Sequence, residues 1–193
     1  MLVLASASPR RRDLMEAAGF PFRVQPSDAE EITEAESPSL LTETNGLIKA
    51  RPIAQINPDS IVIGADTLVF LDGKSLGKPA DMDEAESMVT SLAGRTHEVI
   101  TGVALIHAAS NLETTFHVVS KVTFKPLSAE EIRTYLSIIE PLDKAGGYAA
   151  QEHGNKIIEG IEGPESNVIG LPIERLTEVL ESDPWSTLWN SDQ

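Results

Sequence analysis

The sequence predicts an α/β fold in which a mixed, twisted β-sheet is flanked by helices. Short apolar and β-branched segments alternate along the chain with longer segments of helical spacing, as is typical of α/β proteins. Two patterns that cap helices, Asp81-x-x-Glu84 and Ser128-x-x-Glu131, mark helix starts among these segments.

The first half of the chain should contain two strands, two helices and an acidic loop. Ser8-Pro9 predicts a helix start, because serine caps helices and proline is favoured at their first position, and Gly19 predicts its end. Pro52 should bend or end the second helix. In chain order the elements are a strand at Leu2–Ala5, the first helix, a strand at Phe20–Val24, a loop at 27–39 and a helix from about Pro38.

The second half should contain a hairpin, two long strands and three more helices. Asp72-Gly73 suits the tight turn of a hairpin, and Pro172 opens the final helix. We expect one domain at 1–182 and a tail at 183–193. The strands are expected at Ser60–Ile63, Leu68–Leu71, Lys74–Leu76, Glu98–Ile106, Thr114–Phe124 and Lys156–Ile161, with the two longest paired antiparallel.

The charge balance limits the kinds of partner. The 193 residues include 30 Asp or Glu and 15 Lys or Arg, so the formal net charge is −15. An acidic surface argues against long nucleic acid and anionic membranes, but a small anion can still bind a basic pocket. The chain has no cysteine, which excludes Cys-based zinc sites and thiol catalysis. With no visible targeting or spanning segment, we expect a cytoplasmic protein.

A serine- and arginine-rich segment, Ser6–Arg12, lies where the first strand gives way to the first helix. Helix N-termini offer free backbone N–H groups and a positive dipole end, and arginine forms bidentate hydrogen bonds with phosphate. Positive side chains at this end are unfavourable for the helix itself. The segment therefore indicates a phosphate site, a solvated basic patch or arginines that pair with acidic neighbours.

Gly64-Ala65-Asp66-Thr67 follows an apolar strand. A carboxylate at the end of a buried strand, beside a permissive glycine, suits a divalent metal, and Glu30-Glu31 could supply a second carboxylate. Lys78, which precedes a proline, could reach a phosphate as a point charge. The alternatives are a turn aspartate with a local hydrogen bond, a solvated acidic loop and an ordinary exposed lysine.

The segment Asp143–Gln151 contains two glycines, which allow close backbone approach or unusual φ and ψ angles. Gln151 can both donate and accept hydrogen bonds, which suits the edge of a nucleotide base. The alternative is a glycine-rich connection before the last strand. His97 could act as an acid or base, but we expect a structural, hydrogen-bonded histidine.

Taken together, these segments resemble the Maf family of nucleotide pyrophosphatases, also called septum formation inhibitor-like proteins. The similarity runs from about Leu2 to Leu180, with eight motifs in the family order. They are SASPRR at Ser6–Arg11, the pair Glu30-Glu31, the helix lysine Lys49, GADT at Gly64–Thr67, GKP at Gly77–Pro79, LAGRTHEVITG at Leu92–Gly102, EPLDKAGGYAAQ at Glu140–Gln151 and SNVIGLP at Ser166–Pro172.

The resemblance implies a fold similar to that of inosine triphosphate pyrophosphatases, with two lobes around a central cleft. It also implies a hydrolase, dependent on Mg²⁺ or Mn²⁺, that converts nucleoside triphosphates to the monophosphate and pyrophosphate. In such an enzyme Asp66 would be the proton acceptor and, with Glu31, would bind the metal. Lys49 and Lys78 would be the catalytic positive groups.

By the same resemblance, the substrate would be bound by Ser8, Arg10, Arg11, Thr67 and Gln151. Of these, Arg11, Thr67 and Gln151 match the branch of the family that acts on dTTP and UTP. They would read the pyrimidine edge. The branch that acts on 7-methyl-GTP differs at the arginine and GADT positions and has a charged replacement for the glutamine segment. The reaction would also remove non-standard nucleotides and be linked to cell division arrest.

Two alternatives stay open. One is a nucleotide-binding regulator of septum formation with little turnover. The other keeps the enzyme class but shifts the substrate to 7-methyl-GTP or modified bases. In addition, this chain has Glu152-His153 where the family usually continues with glycine, a departure that could alter the base pocket. The expected partner is a single nucleoside triphosphate, with no long nucleic acid and no membrane, and the resemblance implies a homodimer.

Overall fold

The computed structural model describes residues 1–190, and these form two compact units, each with an apolar core of its own. The first unit contains Met1–Asp66, Thr101–Val118 and the chain from Gly170 onward, and the second contains Thr67–Ile100 and Val119–Ile169. Residues 191–193 of the expected tail lie outside the described residues. None of the described helices combines the length and the apolar composition needed to cross a bilayer.

Within residues 1–190, seven α-helices and seven strands confirm the predicted α/β class. The strands form one mixed sheet in the order β2-β1-β3-β5-β6-β7, with β4 paired to β3. The helices are α1 (Pro9–Ala17), α2 (Pro38–Ile56), α3 (Met82–Leu92), α4 (Ala129–Leu136), α5 (Glu165–Ile169), α6 (Ile173–Glu181) and α7 (Trp185–Asn190). The strands are β1 (Leu2–Leu4), β2 (Phe22–Val24), β3 (Ile61–Leu71), β4 (Lys74–Leu76), β5 (Thr96–His107), β6 (Leu112–Phe124) and β7 (Ile158–Glu162).

The sheet is mixed because its strand pairs differ in direction. β1 runs parallel to β2 and to β3, whereas β4 is antiparallel to β3 and β7 is antiparallel to β6. The turn between β3 and β4 is the hairpin that Asp72-Gly73 predicts, since these residues have positive φ angles of 51° and 76°. The two long strands, β5 and β6, are neighbours as expected.

The core of the first unit lies on both faces of β1 and β3. Successive side chains of a strand point to opposite faces, so Leu2 and Leu4 join one apolar cluster while Val3 joins another. The first cluster takes in Met15 from α1 and the inner face of α6. The second takes in the inner face of α2, so the apolar strand pattern fixes where this helix packs.

Helix α2 lies so close to the sheet that glycine is required at the contacts. A Cβ atom on Gly64 would stand 2.1 Å from the carbonyl oxygen of Gly46, and one on Gly102 would stand 2.2 Å from the backbone of Thr42. Gly64 does not have a positive φ. It is therefore needed for packing rather than for conformational freedom, and the close approach brings the polar side chains of α2 up to β3.

Helices α3 and α4 of the second unit begin at the two predicted capping sites. At α4 the capping box is complete, because Ser128 and Glu131 each accept a hydrogen bond from the backbone N–H of the other. At α3 only half of the box forms. Asp81 accepts from the Glu84 amide at 2.8 Å, but the Glu84 carboxylate accepts from the amide of Ala80 instead.

Three predictions about the elements need correction. Strand β3 continues through Asp66, which therefore lies inside a strand and not after one, because its backbone stays in the sheet beneath α2. Of the two outcomes expected at Pro52, a bend or an end of the helix, the structure excludes the end, since burial of Ile53 on the inner face of α2 favours one further turn. Helix α6 is not the last, because α7 follows it and buries Trp185, whose indole N–H donates to Thr114 Oγ1 at 3.1 Å.

Candidate active site

Lys49 of α2 lies between two carboxylates. Its ammonium nitrogen is 2.9 Å from Asp66 Oδ1 and 3.0 Å from Glu31 Oε1, and it donates to the carbonyl oxygen of Ala65 at 3.3 Å. An ammonium group has three N–H donors, and these three acceptors match them. The structure therefore brings together three of the predicted residues, from the acidic loop, from α2 and from β3.

Asn45, about one turn before Lys49, is a residue that sequence reasoning alone misses. Its side-chain nitrogen donates to Asp66 Oδ2 at 3.0 Å and to the carbonyl oxygen of Ile32 at 3.1 Å, while its oxygen accepts from the Ile32 N–H at 2.9 Å. It thus fixes Asp66 and the loop residue next to Glu31. The available signal was the pair Asn45-Gly46, two weak helix formers inside a long helix.

Asp66 is buried, with 7% of its side chain exposed, yet its environment favours the ionised form. Burial raises the pKa of the carboxyl, but the charge of Lys49, hydrogen bonds from Asn45 and Lys49, and the charge of Arg11 outweigh this effect. The pKa of Asp66 therefore lies below its ordinary value. At neutral pH the first unit contains a buried carboxylate that can accept a hydrogen bond, or a proton, from a ligand.

Arg11 projects from the first turn of α1, and its guanidinium is hydrogen-bonded to Gly170 and Ser6. Its Nε donates to the carbonyl oxygen of Gly170 at 2.8 Å and a terminal nitrogen donates to Ser6 Oγ at 3.1 Å. Burial lowers the pKa of the Arg11 guanidinium, against the charges of Asp66 and Glu31, but an arginine stays protonated in proteins. Arg11 therefore places a fixed positive charge near Asp66, and this charge favours the ionised form of that carboxyl.

The other residues of the first helical turn differ in their surroundings. Ser8 is the N-cap of α1 but makes no side-chain cap bond, so its hydroxyl is not used to hold the helix. Arg10 is half-buried. Arg12 is exposed and pairs with Asp13 at 2.8 Å and with Glu16 at 3.7 Å. For Arg12, pairing with acidic neighbours is therefore the correct interpretation.

The carboxylates fit a hard divalent cation. Glu31 Oε1 and Asp66 Oδ1 converge on one positive atom, the ammonium nitrogen of Lys49, and carboxylate oxygens are the ligands that Mg²⁺ and Mn²⁺ prefer. Mg²⁺ is commonly bound by one or two carboxylates together with water and substrate phosphates. Within the described residues, no group of three or more His, Cys, Asp or Glu has an arrangement that could hold a metal.

The remaining predicted residues belong to the second unit. Thr67 is half-buried and directly follows Asp66 on β3, whereas Lys78 and Gln151 are exposed. The backbone N–H of Gly146 donates to the carbonyl oxygen of Gly77 at 2.9 Å. Lys78 and Gln151 therefore lie on two segments of the second unit that are hydrogen-bonded to each other.

Replacing Asn45 with alanine is expected to raise the pKa of Asp66, because the carboxylate loses a hydrogen bond that favours its charged form. The free energy of unfolding should fall by about 1–3 kcal/mol, since both backbone groups of Ile32 lose their partner as well. Carbon-detected NMR titration of the Asp66 carboxyl and urea unfolding measure the two effects. Asn155→Ala, at an exposed asparagine, is the control, and an unchanged Asp66 titration would contradict the prediction.

Comparison with known proteins places the chain among relatives of nearly the same length. It is 47% identical over 182 residues to a dTTP/UTP pyrophosphatase of Akkermansia muciniphila, covering 93% of this chain and 94% of the relative. It is 46% identical over 181 residues to a dTTP/UTP pyrophosphatase of Bacillus cereus, with the same coverage. A relative of the same name from Moorella thermoacetica is 45% identical over 180 residues, covering 93% of each chain.

A solved structure and a family model also match the chain. The solved structure of the Staphylococcus aureus Ham1 protein matches with a TM-score of 0.55 and 16% identity, covering 93% of this chain and 97% of that one, which shows a shared fold. The family model described as Maf-like protein matches residues 1–183. That match includes the Glu31, Lys49 and Asp66 cluster and every predicted site residue of the second unit, so the chain belongs to the Maf-like protein family.

Proposed function

We propose that this chain is a nucleoside triphosphate pyrophosphatase that hydrolyses dTTP and UTP to the monophosphate and pyrophosphate. The observation that carries the reaction is the buried Asp66 carboxylate, kept ionised by Lys49 and Asn45 with the positive Arg11 nearby. The names of relatives that are 45–47% identical over almost the whole chain support the choice of substrates.

The reaction needs a water molecule, a proton acceptor and positive charge. The water oxygen bonds to the α phosphorus. The bond from this phosphorus to the oxygen that bridges the α and β phosphates breaks, and pyrophosphate leaves with the electron pair of that bond. Asp66 accepts the proton of the water. Lys49 and Asn45 hold the two carboxylate oxygens of Asp66, so the base is oriented before the substrate binds.

Positive groups would offset the charge that builds up on the phosphates as the bond breaks. We assign this role to Arg10, Arg11 and Lys78, with Ser8 as a hydrogen-bond donor to a phosphate. A Mg²⁺ or Mn²⁺ ion bound by Glu31 and Asp66 would neutralise substrate charge and acidify a water molecule.

Base selection would fall to Arg11, Thr67 and Gln151. An amide both donates and accepts, as pairing with the edge of uracil or thymine requires. We further propose that the protein is a homodimer, which the family resemblance supports. We also propose that it acts in the cytoplasm, a reducing compartment to which a chain without cysteine is suited.

The test is a panel of dTTP, UTP, CTP, GTP and 7-methyl-GTP, each incubated with the full chain and Mg²⁺ or Mn²⁺. Pyrophosphate and phosphate are measured separately, and we expect pyrophosphate to be released chiefly from dTTP and UTP. Release chiefly from 7-methyl-GTP would move the chain to that branch of substrates. Nucleotide binding without pyrophosphate release would favour the regulator of septum formation.

A further inference from the structure

The segment that carries Gln151 is held mainly by side chains from other elements. Its backbone from Tyr148 to Gln151 lies in neither a helix nor a strand. Before it, Gly146 and Gly147 have positive φ angles of 71° and 72°, a conformation that favours glycine. The position of the exposed Gln151 therefore depends on what binds the residues just before it.

Tyr135 of α4 supplies one anchor. Its hydroxyl accepts a hydrogen bond from the N–H of Ala149 at 2.9 Å and donates to the carbonyl oxygen of the same residue at 3.1 Å. The tyrosine is 1% exposed, so neither bond is exchanged easily with water. One phenol hydroxyl thus satisfies both backbone groups of a residue two positions before Gln151.

His97 of β5 supplies a second anchor, on the neighbouring residue. Its Nε2 is 2.8 Å from the Tyr148 hydroxyl, and both side chains are buried. This contact confirms the expected structural histidine. Burial lowers the pKa of His97 to about 4, so the ring is neutral at neutral pH.

The direction of this hydrogen bond follows from counting donors. Nδ1 of His97 has no partner within the described chain. If Nε2 donated, the Tyr148 O–H would lack an acceptor and Nδ1 would lack a donor. If the Tyr148 O–H donates to Nε2, only the N–H at Nδ1 is left over, so this direction is favoured.

The far side of the segment is tied by Lys144. Its buried ammonium donates to the carbonyl oxygen of Glu140 at 2.7 Å and to Asp143 Oδ1 at 2.8 Å, and it lies 3.9 Å from Glu152 Oε1. Glu152 is the residue that departs from the family pattern directly after Gln151. Gln151 therefore follows two hydrogen-bonded residues, and the residue after it lies within ion-pair distance of the buried Lys144.

We propose that Tyr135 and His97 are positioning residues for base selection, because their hydrogen bonds to Ala149 and Tyr148 fix where Gln151 presents its amide. This inference rests on the proposed function. A side-chain amide can pair with uracil or, reversed, with cytosine, so it discriminates only when its place relative to the base is fixed. Neither positioning residue needs to touch the substrate.

The experiment compares the full-length wild type with Tyr135→Phe and Tyr148→Phe, each of which removes one hydroxyl. Steady-state kinetics with UTP and CTP are combined with hydrogen exchange at the Ala149 amide. For Tyr135→Phe we expect the KM for UTP to rise about tenfold with kcat changed less than about threefold. The preference for UTP over CTP in kcat/KM should fall about tenfold, and Ala149 should exchange faster.

Thr134→Ala, at an exposed position of the same helix, is the control and should keep the wild-type preference. A purely structural role would lower the active fraction, and hence kcat, equally for both nucleotides. A Tyr135→Phe protein that keeps the UTP preference, even with faster exchange at Ala149, would overturn the positioning role and leave the proposed function intact. If Tyr135→Phe does not fold, the same measurements on Tyr148→Phe decide.

Failure of the proposed function would be visible in the wild-type protein, and not in the variants. A wild type that releases no pyrophosphate from UTP would overturn that function, and base selection by Gln151 with it, before any variant is compared.

Discussion

Replacing Asp66 with asparagine is expected to lower kcat for UTP by about 10²–10⁴-fold, the usual contribution of a general base. The substituted amide has the shape of the carboxylate but cannot accept a proton from water. Its NH₂ group must also face a donor, since one oxygen of Asp66 accepts from Lys49 and the other from Asn45. Nucleotide binding should persist, because a negative charge is removed from the neighbourhood of a triphosphate.

The matched control is Asp59→Asn, at an exposed aspartate of the same unit, which should leave turnover unchanged. Pyrophosphate release measures kcat, and calorimetric titration with a nonhydrolysable UTP analogue measures binding. If kcat of Asp66→Asn stayed within a few-fold of the wild-type value, a group other than Asp66 would accept the proton of the attacking water. Loss of binding together with loss of turnover would show that Asp66 is needed to form the site.

The second large effect is expected from Gly64→Ala. The new Cβ would overlap the carbonyl oxygen of Gly46 and stand 2.9 Å from the Cβ of Ala50, and backbone atoms of a helix cannot move aside singly. We expect a loss of about 3 kcal/mol or more in the free energy of unfolding. Turnover should fall too, because α2 carries both Lys49 and Asn45 and would be pushed away from β3.

Gly160→Ala is the control for this substitution. Gly160 also lies in a strand, without a positive φ, but a Cβ there meets no atom within 4 Å. Alanine should therefore change stability by less than about 1 kcal/mol. Urea unfolding followed by circular dichroism compares the two variants. Equal free energies of unfolding would show that α2 can shift away from a Cβ at residue 64 without loss of stability.

The strands and most helix starts could be predicted because local chemistry decides them. The Ser128 capping box, the Asp72-Gly73 turn and the apolar run of β1 each depend on neighbours in sequence, and each is present in the structure. The continuation of α2 past Pro52 was not predictable in this way. There, burial of the last turn outweighs the local cost of proline.

The residues of the Lys49 cluster were predicted, but the hydrogen bonds that join them were not. Motif resemblance indicates Glu31, Lys49 and Asp66, yet it cannot show that one ammonium bonds to both carboxylates. Asn45 escaped prediction because its partners, Ile32 and Asp66, are 13 and 21 residues away and meet it only after α2 packs on the sheet. Long-range contacts of this kind leave no periodic trace in a sequence.

The double hydrogen bond between Asn45 and Ile32 has a consequence for how the acidic loop tolerates change. The amide holds both backbone groups of Ile32, and the exposed residues Thr33–Glu36 connect this anchored residue to the start of α2. Insertions or deletions there should leave Glu31 in place. In a chain without cysteine, Glu34→Cys would also create a unique thiol, so a fluorescent label could follow this loop without altering Glu31, Lys49 or Asp66.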